Sequence, residues 1–518
     1  MTSGDSQRVL DAGRNCDPLA RADRLALLVD GSEYYAALAH AIERARHTVA
    51  ILGWDLDSRV SLQPGPDGSP LVPPLREFLP AVALTNPDLN IYLSTWDFPI
   101  FLATVRDPDL VFGKNPFNHP RVHLNFDSAH PPGGSHHQKI AVIDDCLAFA
   151  GGMDIAGGRW DTPEHRAGDV RRSGKHGPYP PYHDVQALVD GDAARALADI
   201  VRDRWYRATR RSIPPSPQKR DIWPDGLKPD LIDVSVGISR TDVDANGDGR
   251  LEVEQLHLDL IAAAREWIYI ENQYLTSATI VNALCRRLQD ADGPEIVIVL
   301  PLRNSGWLEE NTIEVLRFRS IHQLRQANRY DRLRICYPVV PGLDGEAIGV
   351  HSKILAVDDR LFRVGSSNLA NRSMRLDTEC DLTIEATNES QRLAISGLRN
   401  RLLAEHLGMR PGDVDAFLAQ DASLVRLVDS RKTAPRGLRE LPSEDPSRAV
   451  VLEEVLEDAL VDPSRPVTPE VVIEALATSI ATRPFGRLLG RGLIGGIITA
   501  GAVAVWRMVR PRRSPPKQ

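Results

Sequence analysis

One unit occurs twice in this chain, and no other feature restricts its possible folds so far. The run His137-Gln-Lys139-Ile-Ala-Val-Ile-Asp144 leads on to Gly151-Gly152-Met153-Asp154. At a distance of 214 residues (137 to 351), His351-Ser-Lys353-Ile-Leu-Ala-Val-Asp358 leads on to Gly365-Ser366-Ser367-Asn368. The His, Lys, Asp and first Gly keep the same spacing in both copies, so the chain is built from two similar halves. In an extended segment a His and a Lys two residues apart project to the same face, and an imidazole then shares a site with an ammonium. The apolar run, the acidic turn and the next apolar run read as a β-hairpin.

The surroundings of both units alternate helical and strand-like segments, which argues for an α/β fold. Examples are SEYYAALAHAIERARHT before VAILGWDLDS, and LHLDLIAAAREW before IYIENQYL. At 518 residues the chain has room for roughly three units. A flexible N-terminus at 1–20, a first half at 21–211, a proline-rich linker at 212–230 and a second half at 231–408 are expected. An acidic helical appendage at 409–482 and an apolar, Arg-flanked tail at 483–518 follow. The formal charge of -8 argues against a dedicated nucleic-acid binder. Five scattered cysteines form neither a disulfide framework nor a zinc-ligand pattern. The first twenty residues lack an apolar h-region, so a cytoplasmic, reducing setting is expected. The basic residues are mostly arginine, which is the pattern of a GC-rich bacterial genome.

Histidine serves as nucleophile or general acid, and lysine supplies charge for phosphate oxygens. Two histidines and two lysines suit an in-line displacement at phosphorus, one imidazole attacking while the other protonates the leaving oxygen. A single His on an apolar strand is ordinarily a satisfied core residue; a duplicated His-Lys-Asp unit is not. Asp144 and Asp358 are candidates for the same site, and each also suits the stabilisation of its own turn.

The two units resemble the paired HKD motifs of the phospholipase D superfamily. GGMDIAGGRWD (151–161), PYHDVQALVDG (181–191), IYIENQYL (268–275) and GSSNLANRSM (365–374) resemble its eukaryotic-type branch, over roughly residues 25–405. The resemblance implies two α/β halves packed as a pseudo-dimer around one active site, a phosphohistidine intermediate, no cofactor and no metal. It casts His137 as nucleophile, His351 as general acid and then base for water, and Lys139, Lys353 and Asn368 as the phosphate clamp. Asp154 stands where the second unit has Asn368, and a carboxylate there would repel phosphate. Asp184 and Glu379 resemble the carboxylates that orient the imidazoles; such a partner fixes the tautomer and stabilises the imidazolium. Ser366, Gly151, Gly152, Gly365, Glu271, Asn272 and Gln273 are implied to bind substrate.

The implied substrate is a glycerophospholipid, hydrolysed to phosphatidic acid and an alcohol, with transfer to a second alcohol as a further outcome. A cardiolipin-synthase-like phosphatidyltransferase and a superfamily nuclease are the alternatives. The short stretch before residue 20 leaves no room for PX, PH or C2 modules, so the chain resembles a minimal catalytic core.

Two further segments carry expectations. DANGDGRLEVEQ (244–255) imitates a calcium loop but has Gln255 where the bidentate Glu belongs, and reads as a turn. Gly492–Trp506 carries no charge between flanking arginines. As a helix it would reach about 22 Å against a hydrocarbon core of about 30 Å, and it is expected to associate with a membrane surface.

Overall fold

The computed structural model describes residues 8–97, 115–174, 177–217, 220–303, 307–343, 346–442 and 462–467. The first half runs β1 (Leu19–Val29), helix Asp30–Arg44, β2 (Thr48–Gly53), helix Leu75–Thr85, β3 (Asn90–Trp96), β4 (Val122–Asp127), β5 (Ile140–Ile143) and β6 (Leu147–Gly151). It continues with the short β7 (Ser173–Gly174), β8 (Gly177–Pro178) and β9 (Tyr182–His183), then β10 (Val185–Asp190) and helix Gly191–Thr209. The second half repeats the plan with β11 (Leu231–Val243), β12 (Gly249–Leu251), helix Glu252–Ala263, β13 (Trp267–Glu271), helix Ala278–Gln289 and β14 (Glu295–Val299). After helix Trp307–Ala327 come β15 (Leu333–Val339), β16 (Gly349–Val350), β17 (Ile354–Val357) and β18 (Leu361–Gly365). Helix Asn371–Arg375, β19 (Glu379–Glu385) and helix Glu389–Leu407 complete it.

All the longer strands join one sheet, in the order β20-β15-β14-β13-β17-β18-β19-β11-β1-β10-β6-β5-β2-β3-β4, where β20 is Gly437–Glu440. The order read outward from β1 matches the order read outward from β11, so the expected duplication is a duplication of topology. The halves join through the antiparallel β1–β11 pair, from Leu19 opposite Gly237 to Leu25 opposite Leu231. β2, β3 and β4 run parallel, as do β13, β14 and β15. Such strands are covered on both faces, which explains runs as apolar as TVAILG and EIVIV. One face of each half packs against that half's own helices. The other face forms a core continuous across the junction, built on helices Gly191–Thr209 and Glu389–Leu407.

The segment after Met409 contributes helices Pro411–Asp421 and Leu424–Ser430 and then β20, which pairs with β15. Within 212–230, Ile213, Ile222 and Trp223 are buried. Within 244–255, residues 244–248 close the β11–β12 hairpin, with Asp244 Oδ1 accepting from the backbone of Asn246 at 2.8 Å and of Asp248 at 3.1 Å, and the rest is β12 and the start of the next helix. No helix among the described residues is long and apolar enough to cross a membrane, and the 483–518 tail lies outside them.

The two motif aspartates occupy the β5–β6 and β17–β18 turns, and their place is a correction to the expectation of a catalytic role. Asp144 takes a left-handed backbone (φ 49°), and its carboxylate accepts from the backbone N–H of Arg46, His47 and Thr48, each at 2.8 Å. Asp358 (φ 52°) does the same for Glu266 at 2.8 Å and Trp267 at 2.9 Å. Each carboxylate thus ties the hairpin turn to the start of the neighbouring strand, β2 or β13, at the strand ends remote from the motif histidines. Hydrogen bonds to a charged acceptor contribute about 1.5–3 kcal/mol, with the half-buried Asp358 at the low end and the buried Asp144 at the high end. Asp144→Ala and Asp358→Ala are each expected to lower unfolding free energy by about that amount while leaving kcat of the folded fraction unchanged. Urea unfolding beside an activity assay checks this, and a stable but inactive variant would return the aspartate to the site.

Candidate active site

Each motif histidine lies on an extended approach to the hairpin, and that approach pairs with a strand of the opposite half. His137 N–H donates to Thr378 O at 3.0 Å, while Thr378 N–H donates to Ser135 O at 3.0 Å. In the mirror arrangement β16 pairs with β9, and His351 N–H donates to His183 O at 2.8 Å. The residue after each of these partners is a carboxylate. His137 Nδ1 stands 3.0 Å from Glu379 Oε2, and His351 Nδ1 stands 2.6 Å from Asp184 Oδ2. Each imidazole is therefore oriented by the other half, and Nε2 is the nitrogen left for chemistry. The His137 side chain is 14% exposed and that of His351 11%, so both rings line a narrow mouth while their carboxylates are sealed.

The lysines lie beside them. Lys139 Nζ donates to His137 O at 2.9 Å and stands 3.3 Å from Asp154 Oδ2. Lys353 Nζ lies 3.1 Å from His351 Nδ1 and 3.4 Å from Gln273 Oε1. Burial, then the fields of Lys139 and Lys353, hold His137 well below the usual imidazole range. Burial, then Lys353, Arg159 and Lys139, do the same to His351. The two motif units therefore act on one another electrostatically. Burial is also the main cause that takes Lys353 down to about 7 and Asp184 up to about 7, and it pushes Glu379 well above the carboxylate range. Without an anionic ligand the resting site holds neutral imidazoles among buried cations. The buried Asn368 amide makes no hydrogen bond through its oxygen among the described residues.

Several residues expected to bind substrate do other work. Glu271 is fully buried; its carboxylate meets His183 Nε2 at 2.9 Å, His406 Nε2 at 3.1 Å, Ser352 Oγ at 2.6 Å and Tyr269 OH at 2.5 Å, which leaves it no reach to a ligand. Asn272 is buried and accepts from Tyr274 N–H at 3.1 Å and Leu369 N–H at 3.0 Å, so it shapes the loop carrying Asn368. Ser366 Oγ donates to Glu379 Oε2 at 2.5 Å and positions that carboxylate. A side chain at Gly152 would collide with the Asp184 carboxylate, and one at Gly365 with Asp381, so these glycines, like Gly151 against Val185 and Gln186, allow close packing. Gln273 alone of that set reaches a site lysine.

Two site residues carry no signal in the duplicated spacing. Tyr182 lies with its ring centroid 5.5 Å from that of His351, and the guanidinium of Arg159 stands 4.8 Å from the Tyr182 ring centroid. Arg159 makes no ion pair among the described residues, and its charge acts on His351, Lys353 and Asp184. Its place between GG and WD of the GGMDIAGGRWD segment was the one available hint.

Set beside known proteins, each motif half has a match. A family model described as Phospholipase D matches residues 125–216, and one described as Cardiolipin synthase, PLD-like domain, matches residues 257–395. Phospholipase D A of Dictyostelium discoideum is 29% identical over 472 residues, covering 74% of this chain and 36% of its own length. Phospholipase D1 of Saccharomyces cerevisiae is 25% identical over 508 residues, covering 75% of this chain and 29% of its own length. The chain thus spans about a third of the length of these curated relatives. Phosphatidylserine synthase of Haemophilus influenzae Rd KW20 shares the fold, with a TM-score of 0.55 at 16% identity over 81% of this chain and 97% of that one. Each motif half thus resembles a phospholipase D-type family model, and the curated phospholipase D relatives run through both halves.

Proposed function

We propose that the chain is a phospholipase D-type phosphodiesterase that hydrolyses glycerophospholipids to phosphatidic acid and an alcohol. The observation that carries this reading is the pair of reciprocal His–carboxylate contacts flanked by two buried lysines. Glu379 accepts a hydrogen bond from His137 Nδ1–H, which fixes the tautomer and leaves the Nε2 lone pair free to attack phosphorus. As the N–P bond forms and the P–O bond to the headgroup breaks, the leaving oxygen needs a proton. Burial and then the surrounding cations keep His351 neutral until the anionic diester offsets their field; the ring then takes up a proton from solvent, which reaches its exposed edge, and passes it to the leaving oxygen. In the second step His351 accepts a proton from water, whose oxygen attacks phosphorus and breaks the P–N bond. Lys139, Lys353 and Asn368 surround the phosphoryl oxygens, with Gln273 holding Lys353. An alcohol in place of water gives transphosphatidylation from the same intermediate. Residues 21–211 and 231–408 are the two catalytic halves on this reading, and Gly492–Trp506 with its arginines is the peripheral membrane contact.

Three expectations follow from this chemistry. His137→Ala and His351→Ala should each lower kcat on phosphatidylcholine by at least about a thousandfold with circular dichroism unchanged. Near wild-type turnover in either would remove the two-histidine mechanism.

Lys353 lies at about 7, so its cationic form is present below that pH and is lost as pH rises through it. The free enzyme's grip on an anionic diester should weaken on that side, and kcat/KM is expected to fall above pH about 7. In Lys353→Arg the guanidinium stays charged, so the alkaline limb should move up or vanish. A limb unmoved by this substitution would assign it to another group.

Truncation after Arg483 should leave activity on detergent-dispersed lipid intact and reduce co-sedimentation with anionic liposomes. Each of the lost arginines contributes about 1 kcal/mol at such a surface, a share that high salt removes. Equal sedimentation of both forms would show that the tail is not the anchor.

A further inference from the structure

Behind Asp184 lies a second group of titratable side chains that the phosphoryl chemistry does not use. Asp30 follows β1, His165 lies in the loop after Trp160, His183 is in β9, and Glu405 comes from the second half near the end of helix Glu389–Leu407. The side chains of Asp30, His165 and His183 are 0% exposed and that of Glu405 is 5% exposed, so no bulk water reaches them. His183 Nδ1 is 3.0 Å from Asp30 Oδ1 and 2.9 Å from Glu405 Oε1. His165 Nε2 is 3.0 Å from Glu405 Oε1 and 3.7 Å from Asp30 Oδ2. One donor atom from each of the four residues lies within 4.8 Å of the others. Ligand atoms around a tetrahedral zinc ion stand about 3.3–3.5 Å apart, and the observed separations bracket that spacing.

Two independent features point to a ligand. Asp30 Oδ2 is buried inside the group and makes no hydrogen bond among the described residues. In addition, each histidine turns its far nitrogen to another carboxylate: His165 Nδ1 to Asp161 Oδ2 at 2.9 Å, and His183 Nε2 to Glu271 Oε2 at 2.9 Å. That is the carboxylate–histidine–metal arrangement in which an outer carboxylate fixes the tautomer of a ligating ring. The outer acids are held in turn, Asp161 by Arg172 at 3.0 Å and Glu271 by His406 at 3.1 Å. Asp30 also takes a left-handed backbone (φ 63°), which is uncommon outside glycine and here aims its carboxylate inward.

We propose that Asp30, His165, His183 and Glu405 bind one divalent transition-metal ion, zinc by the donor set, as a structural staple between the two halves. Two imidazoles and two carboxylates in near-tetrahedral placement suit zinc, whereas magnesium and calcium favour all-oxygen shells of six or more. With four protein ligands the site is closed, so the ion would take no part in turnover and the metal-free phosphoryl chemistry stands. Asp30, Glu405, Asp161 and Glu271 bring four carboxylates to this group, with Arg172 and Arg436 as facing cations. The consequence for the active site is positional, since His183 precedes Asp184 and its carbonyl receives His351 N–H.

The test uses the full chain, purified without metal-chelate resin, dialysed against chelator-treated buffer and analysed by inductively coupled plasma mass spectrometry. One equivalent of zinc per chain is expected, with an X-ray absorption edge fitted by two nitrogen and two oxygen ligands. His165→Ala and the conservative Glu405→Gln should each reduce the content to below a tenth of an equivalent. Less than a tenth in folded, active wild-type protein overturns the proposal and identifies the group as a proton-bridged ion cluster. A full equivalent retained by both variants overturns it too, by placing the ion elsewhere. The reading does not depend on the variants folding, because the wild-type value alone decides against it. Protein from zinc-depleted medium should gain thermal stability on addition of zinc, and no gain would likewise count against the staple.

Discussion

The exchange of carboxylates between the two halves is the contact on which the site depends. Glu379 orients His137 and Asp184 orients His351, at 3.0 and 2.6 Å, and neither half contains a complete His–carboxylate pair for its own motif. The backbone enforces this crossing. The approach to each motif hydrogen-bonds to the segment just ahead of the opposite half's β10 or β19, and the next residue in that segment carries the carboxylate. The β1–β11 junction sets the distance between the halves, and the continuous core beneath it keeps that distance from varying.

Burial then decides the electrical state. Lys353 is fully buried and Lys139 nearly so, a costly arrangement even with Asp154 3.3 Å from Lys139. The site lowers this cost by holding its imidazoles neutral and bringing Lys353 near neutrality. On the proposed function, a phosphodiester would add the further negative charge that these cations favour. Recognition and readiness for proton transfer are therefore one electrostatic event. The second buried group, around His183, is built on carboxylates and imidazoles and contains no lysine among the described residues. The two sit back to back across the His183–Asp184 peptide.

What the sequence alone revealed was whatever is encoded locally. The HxK spacing places two side chains on one face of a strand, and its duplication announced two halves and one displacement at phosphorus. The orienting roles of Asp184 and Glu379 were legible through resemblance, but their crossing between halves was not, because the paired residues lie 167 and 242 positions apart. Asp144 and Asp358 show the reverse limit. Their regular spacing from the histidines looks like shared chemistry, yet it records the length of a hairpin strand, and their partners are backbone N–H groups that any sequence would offer. Glu271 lies two residues before Gln273, and alternation alone would give them one face, but the strand ends at Glu271 and its carboxylate is taken up by the buried His183 and His406. Arg159 and Tyr182 escaped because they belong to one half only and have no duplicated counterpart.

The reciprocal pairing has a consequence for the order in which the molecule is made. His137 leaves the ribosome 242 residues ahead of Glu379, which at bacterial to eukaryotic elongation rates is a delay of about ten to fifty seconds. Throughout that interval the first half has an open β1 edge and an imidazole with no carboxylate behind it. The nascent chain carries one half of the phosphate-binding charge and no general acid. On the proposed function, catalytic capacity therefore cannot precede the emergence and docking of the second half, and the nascent chain passes through synthesis without a complete His–carboxylate pair.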